Sequence, residues 1–245
     1  MKALKLAALA NLLATTALTA ALAAPVTFFG EDQNGPPNQD PNALAAFPKS
    51  DAARNSFFLN LTGVGTETFD SFAVGTTAPL GLNFPGAGAA TLNGSGSIAA
   101  GNDGVGRYPV SPANYWNAST GTFSITFSMP IAAFGFYGID VGDYGGHLTL
   151  TLTDTLNNVS MLTVPNLVSL NGELSGSVLY FGFFDTATQY KSVAFGNDSG
   201  GSDVFAFDNM TIGSLQQVTP TPEPATLVLL GSALAGLGLL RRRRS

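Results

Sequence analysis

Two stretches of this chain, Thr122-Phe123-Ser124-Ile125-Thr126-Phe127 and His147-Leu148-Thr149-Leu150-Thr151-Leu152-Thr153, alternate strictly between polar and apolar side chains. A strand sends successive side chains to opposite faces, so a period of two marks a strand with one wet and one buried face. Phe and Leu then point inward, and Thr and Ser point to water. Further strands are expected at Glu67 to Val74, Ala133 to Asp140, Val159 to Val164, Val178 to Phe184, Tyr190 to Phe195 and Val204 to Ile212. Turn-forming breaks separate them at Pro85-Gly86, Asn93-Gly94, Gly142 to Gly146, Asn171-Gly172 and Asn197 to Gly201. Short strands at this spacing predict an all-β, antiparallel β-sandwich, a jelly roll. The phenylalanines Phe134, Phe136, Phe181, Phe183, Phe184, Phe195, Phe205 and Phe207 fall on these strands and are read as core. No sustained helical period is visible between the two ends of the chain.

Both ends read as addresses. Lys2 and Lys5 precede an Ala/Leu-rich run, and Ala21 and Ala23 are small residues at the positions signal peptidase reads. At the other end Pro222-Glu223-Pro224 leads into an apolar run from Ala225 to Leu240, closed by Arg241, Arg242, Arg243 and Arg244. Basic residues after an apolar span stay in the cytoplasm, which leaves the body outside. The expected layout is a signal peptide (1–23), an irregular leader (24–55), a β-sandwich (56–214), a Pro-rich linker (215–224), a transmembrane sorting helix (225–240) and a basic tail (241–245). The leader assignment rests on Glu31 to Asp40, EDQNGPPNQD, which is too polar and Pro/Gly-rich to order itself.

Pro222, Glu223 and Pro224, the apolar segment and the arginine cluster together resemble the PEP-CTERM sorting signal of Gram-negative bacteria. The resemblance implies export by the secretion machinery, signal peptidase cleavage, transient anchoring in the inner membrane, and processing by a membrane enzyme of the exosortase class. It also implies an outer-surface or extracellular destination among exopolysaccharide, in biofilms or flocs. The body resembles a common type of exported PEP-CTERM domain through Glu67-Thr68-Phe69-Asp70-Ser71-Phe72, Phe134-Gly135-Phe136-Tyr137-Gly138-Ile139-Asp140 and Val204-Phe205-Ala206-Phe207-Asp208-Asn209-Met210. That likeness implies a lectin-like or galactose-binding-like jelly roll. Modules of this shape often hold a structural Ca2+ between their first and last strands.

Composition narrows the chemistry. Of the ten basic residues, six lie in the two tails, so Lys49, Arg54, Arg107 and Lys191 face nearly all of the sixteen acids. A body that acidic repels phosphate backbones, which argues against nucleic acid. With Cys 0 and His 1, disulfides, thiolate zinc and two-histidine metal sites are excluded. His147 follows two glycines and reads as a surface residue, and no G-x-S-x-G elbow accompanies it.

Calcium takes hard oxygen ligands. Glu67 and Asp70 on the first confident strand and Asp208 on the last are the candidate set. Asp140 with Asp143, and Asp198 with Asp203, lack an EF-hand pattern and are read as Gly-rich turn chemistry. For sugar, Tyr115 and Trp116 in the stretch RYPVSPANYWN are the candidate stacking residues, placed on a loop. The expected function is a non-catalytic surface or matrix protein associated with exopolysaccharide. A glycan-active enzyme using paired carboxylates, a structural adhesin without a small ligand, and ice binding through Thr149, Thr151 and Thr153 are the alternatives.

Overall fold

The computed structural model describes residues 24–34, 42–118, 122–169, 173–198 and 203–219. The elements, in order, are β1 (Val26–Asp32), α1 (Pro48–Phe58), β2 (Thr66–Glu67), β3 (Leu80–Phe84), β4 (Gly88–Gly94), β5 (Ser97–Ala100), β6 (Asn114–Ala118) and β7 (Phe123–Ile131). Then come β8 (Ala133–Ile139), β9 (Leu148–Asp154), β10 (Val159–Thr163), β11 (Val178–Phe184), β12 (Tyr190–Asn197) and β13 (Phe205–Gly213). One sheet runs β1-β11-β8-β13-β6-β5, with β2 added to β13, and the other runs β10-β9-β12-β7-β4-β3. Every described pair is antiparallel. From β7 onward the chain passes repeatedly between the two sheets, the crossover habit of a jelly-roll sandwich.

Between the sheets lies an aromatic core. Phe123 stacks on Phe195 with ring centroids 4.1 Å apart, and Phe136, Phe195 and Phe207 meet edge to face at 5.0 to 5.6 Å. Leu148, Leu150 and Leu152 of β9 enter this core, while the intervening threonines are partly exposed, as the alternation requires.

The first sheet is also covered on its other face. Strands β8 and β11 are buried at every position. Phe134, Phe136, Phe181 and Phe183 face the second sheet, whereas Tyr137, Ile139, Val178 and Tyr180 face a second cluster containing Ala53 and Phe57 of α1. Gly135 and Gly182 lie opposite each other on β8 and β11, and a Cβ on either would come within 3.0 Å of the Phe57 ring. This glycine pair forms the slot that lets the helix approach the sheet.

The leader expected over 24–55 is therefore not irregular. Its start is β1, a full strand on the sheet edge, and its end is most of α1. Pro48 opens the helix, where a missing N–H costs nothing. Phe47 offers no side-chain cap, and Asp32 at the end of β1 substitutes: its Oδ1 accepts the Lys49 N–H at 3.2 Å and its Oδ2 the Ser50 N–H at 2.8 Å. The strand expected at Glu67 to Val74 shrinks to β2, because Phe69 takes a left-handed turn (φ 60°). The signal peptide, the Pro-Glu-Pro motif, the sorting helix and the arginines lie outside the described residues, within which no helix is long and apolar enough to cross a membrane.

Candidate functional site

A cleft of about 440 Å³ opens between α1 and the outer face of the first sheet. The helix contributes Asp51 and Arg54, the approach to it Phe47, β2 and its turn Thr66 and Thr68, and the sheet Tyr137 and Asn209. Tyr137 donates its hydroxyl proton to Asp51 Oδ1 at 2.6 Å, and Phe47 packs edge-on against the Tyr137 ring at 5.7 Å. Burial, then this hydrogen bond, pushes the Tyr137 phenol well above the usual range. Arg54 lies over the Phe58 ring at 4.3 Å, which holds its guanidinium at the rim. Asn209 adopts a left-handed backbone (φ 49°) where the β8–β13 register shifts between Asp208 and Thr211. The cleft thus combines a carboxylate, a guanidinium, an amide and hydroxyls beside aromatic rings, a donor and acceptor set suited to a neutral polyol.

A second polar site lies at the end of the first sheet where β1, β8 and β11 finish or begin and β13 starts. The pairings Asp32↔Val178, Val178↔Ile139 and Ala206↔Ile139 bring Asp32, Asp140, Asp143 and Asp203 to this end. Asp140 is left-handed (φ 65°), and its Oδ1 accepts the Gly176 N–H at 2.8 Å. Burial, then the charge of Asp143, pushes Asp140 up to about 7. Burial also raises Glu31 to about 7, although its Oε2 accepts the Leu167 N–H at 2.9 Å. Asp143 and Asp203 are raised too, first by burial. Tyr144, next to Asp143, is 59% exposed.

The structure corrects the placement of both sugar candidates. Tyr115 and Trp116 sit in β6 and are fully buried, Trp116 in the core between the sheets and Tyr115 in the outer cluster. A buried ring has no open face for a sugar to stack on. Tyr108, from the same stretch, is buried as well; its hydroxyl accepts the Leu44 N–H and donates to the Gly176 carbonyl.

The expected calcium residues are neighbours: β2 pairs with β13, placing Glu67 opposite Met210. Their carboxylates, however, point at different backbone amides. Glu67 accepts the Phe69 N–H at 2.9 Å and the Asn83 N–H at 2.8 Å. Asp70 Oδ1 accepts the Ala113 and Asn114 N–H groups at 3.1 and 2.8 Å. Asp208 Oδ2 accepts the Val110 and Ser111 N–H groups at 2.9 and 2.8 Å. These bonds clamp the loop before β6 and the strand β3. Among the described residues, no three His, Cys, Asp or Glu side chains form a metal-ligand group. His147 lies at the surface, with its N–H on Asp198 Oδ1 and its ring Nδ1 3.2 Å from Asp198 Oδ2.

The cleft escaped sequence reasoning because its residues, Val110 among them, come from five separate segments and α1 gave no periodic signal. Beyond the described residues, the chain from 220 to 244 matches the PEP-CTERM protein-sorting motif. This chain carries a PEP-CTERM sorting signal. That signal marks an exported protein sorted to the cell surface and implies processing by exosortase, a membrane enzyme. No curated protein matches this PEP-CTERM chain. Solved structures similar to it include the K2 cleaved adhesin domain of Lys-gingipain (14% identity, TM-score 0.39, covering 62% of this chain and 98% of that one). A peptidoglycan O-acetylesterase is also similar (13%, 0.35, 69% and 40%), as is the C-terminal family 22 carbohydrate-binding module of Clostridium thermocellum Xyn10B (10%, 0.27, 65% and 97%). Likeness at this level supports no residue-by-residue transfer.

Proposed function

We propose that the sandwich of this exported protein is a non-catalytic surface or matrix component that associates with exopolysaccharide through the α1 cleft. The observation that carries the reading is the cleft lining: Asp51, Arg54, Thr66, Thr68 and Asn209 surround Phe47 and Tyr137 on a face that the sorting signal delivers outside the cell. Glycoside hydrolysis by the usual route needs two carboxyl groups flanking the bond. Asp51 is the single carboxylate in the lining, and it is engaged by Tyr137. The other close carboxyl groups, at the sheet end, are buried away from any polymer. In this reading residues 24–219 form the exported body, the segment after it carries the Pro-Glu-Pro motif, and the apolar run holds the protein in the inner membrane until exosortase acts.

Affinity electrophoresis of the protein through gels containing the host's own exopolysaccharide tests the cleft. Retardation is expected, and Arg54→Ala or Asn209→Ala should each weaken it about tenfold, equivalent to roughly 1.4 kcal/mol. Unretarded migration of the unaltered protein would sink the reading. Self-association or cell aggregation in that case would favour a structural adhesin.

A further inference from the structure

The two sheets end in four edge strands, and three of them are shielded. Strand β1 carries Glu31 and Asp32 and is tied to α1: Ser50 Oγ donates to the Gly30 carbonyl at 3.3 Å, and Asp32 accepts the Lys49 and Ser50 N–H groups. Strand β5 is closed by the segment before β3, where the Gly75 N–H reaches the Ile98 carbonyl and the Ile98 N–H reaches the Thr76 carbonyl, both at 2.8 Å. Strand β3 donates its Asn83 N–H to Glu67. Strand β10 has none of these devices. It holds no charge, no proline and no bulge, the features that normally protect a free edge. Its register with β9 fixes which backbone groups are free. The Val164 N–H donates to the Leu148 carbonyl at 2.8 Å and the Asp154 N–H to the Asn158 carbonyl at 3.0 Å, so the alternation of an antiparallel pair turns Ser160 and Leu162 towards β9. The N–H and C=O groups of Val159, Met161 and Thr163 point out of the sheet, and no hydrogen bond from a described residue outside the strands reaches them. Of the eleven large apolar side chains exposed among the described residues, Leu156, Val159, Met161, Leu167 and Val168 all lie on β10 or just beyond its ends.

We propose that β10 pairs with β10 of a second copy of this chain, antiparallel across a two-fold axis, so that the two β10-containing sheets become one continuous sheet. A row of outward N–H and C=O groups is completed by another extended backbone, and two antiparallel copies of one strand satisfy each other by symmetry. With the axis at Met161, that residue meets its own counterpart and Val159 meets Thr163 of the second copy. These are the residues whose backbone groups are free, so each facing pair exchanges both of its hydrogen bonds. The Val159 and Met161 side chains, which stand on the outer face beside Thr153 and Thr151, then cover one another across the axis. Charge favours this edge for a second copy. The body sets Lys49, Arg54, Arg107 and Lys191 against nearly all of the acids, so two copies repel each other over most of their surface, yet residues 155–172 carry no charge. The sorting signal also gathers copies on one surface, which raises the local concentration of the edge. The pairing is independent of the α1 cleft, which opens on the other sheet.

The test is sedimentation velocity of the full chain in detergent, together with cysteine cross-linking, which the absence of any native cysteine makes specific. The unaltered chain should sediment as a dimer. Met161→Lys, which sets two like charges at the axis on a side chain already 65% exposed, should fold and sediment as a monomer. Met161→Cys should oxidise to a disulfide-linked dimer at least about tenfold faster than Leu59→Cys, an exposed position elsewhere on the body, because facing Cα atoms about 5.5 Å apart suit the bond. Val159→Cys should link poorly to itself but readily to Thr163→Cys when the two are mixed, which fixes the register. A monomeric unaltered chain at its highest soluble concentration would overturn the proposal and leave the edge to a strand of another protein. A dimer that survives Met161→Lys, with Met161→Cys linking no faster than Leu59→Cys, would also overturn it and move the contact to the apolar tail or to another face.

Discussion

Asp203 and Asp208 flank the first residues of β13, and both are buried, yet their surroundings treat them differently. Asp208 receives N–H groups from Val110, Ser111 and Asn209, so its charge is spread over the loop that it holds. Asp203 accepts the Gly142 N–H at 3.3 Å and is also held by the Val204 amide, and the group that faces its carboxyl is a second acid, Asp143, with which it shares a hydrogen bond. Equal burial therefore raises both acids above the ordinary carboxylate range, but one is a clamp built on backbone amides and the other is half of a hydrogen-bonded carboxyl pair. Burial alone does not identify a binding residue; the supply of donors does.

The sharpest way to break this comparison is to truncate both acids. Asp208→Ala strands two backbone N–H groups in a half-buried loop and should lower the unfolding free energy by about 3 kcal/mol in urea titration. Asp143→Ala should cost far less, because it leaves no backbone N–H of a distant loop stranded and removes one of two facing acids. Equal losses would erase the distinction. A second, smaller effect is set by pH. Burial raises Asp140, Glu31 and Asp208 to about 7 and lifts Asp143 and Asp203 above the ordinary carboxylate range. The folded chain then holds protons that the unfolded chain has released, so stability is greatest at low pH and is lost as pH climbs from about 4 towards 8. Melting midpoints should fall over this range, and Asp143→Asn should flatten the slope. A midpoint that rises with pH would contradict the assignment. Glu67→Gln keeps one acceptor oxygen, and its expected cost is about 1 kcal/mol by the same titration. Asp70→Asn, in a part-exposed loop, should cost about 0.5 kcal/mol.

The sandwich was legible where one strand face meets water. β7 and β9 alternate in sequence and in burial, and the strand from Tyr190 was placed correctly at its start. Legibility fails where both faces are covered. In β6, Trp116 faces the second sheet and Tyr115 the outer cluster, so the strand shows two adjacent aromatics among turn formers instead of an alternation. Helix α1 buries Ser50, Ala53 and Phe57, a stripe too small and too polar to register as a helical face. The acids at the sheet end read as turn residues, which they are. What was hidden is that strand pairing brings Asp143 against Asp203 from distant parts of the chain, so that two acids bond to each other in a buried corner.

The hold on the last described residues has a spatial consequence. Thr219 donates its N–H to the Asn60 carbonyl, and Leu61 bridges to Val218, so the chain leaves the body beside the C-terminal end of α1. The N-terminal end of that helix is capped by Asp32 at the acidic end of the sheet. An eleven-residue helix is about 16 Å long. The last described residue, Thr219, therefore lies by one end of α1, and the acidic turns with Asp143 and Asp203 lie toward the other, so the length of the helix separates the outgoing chain from the buried acids.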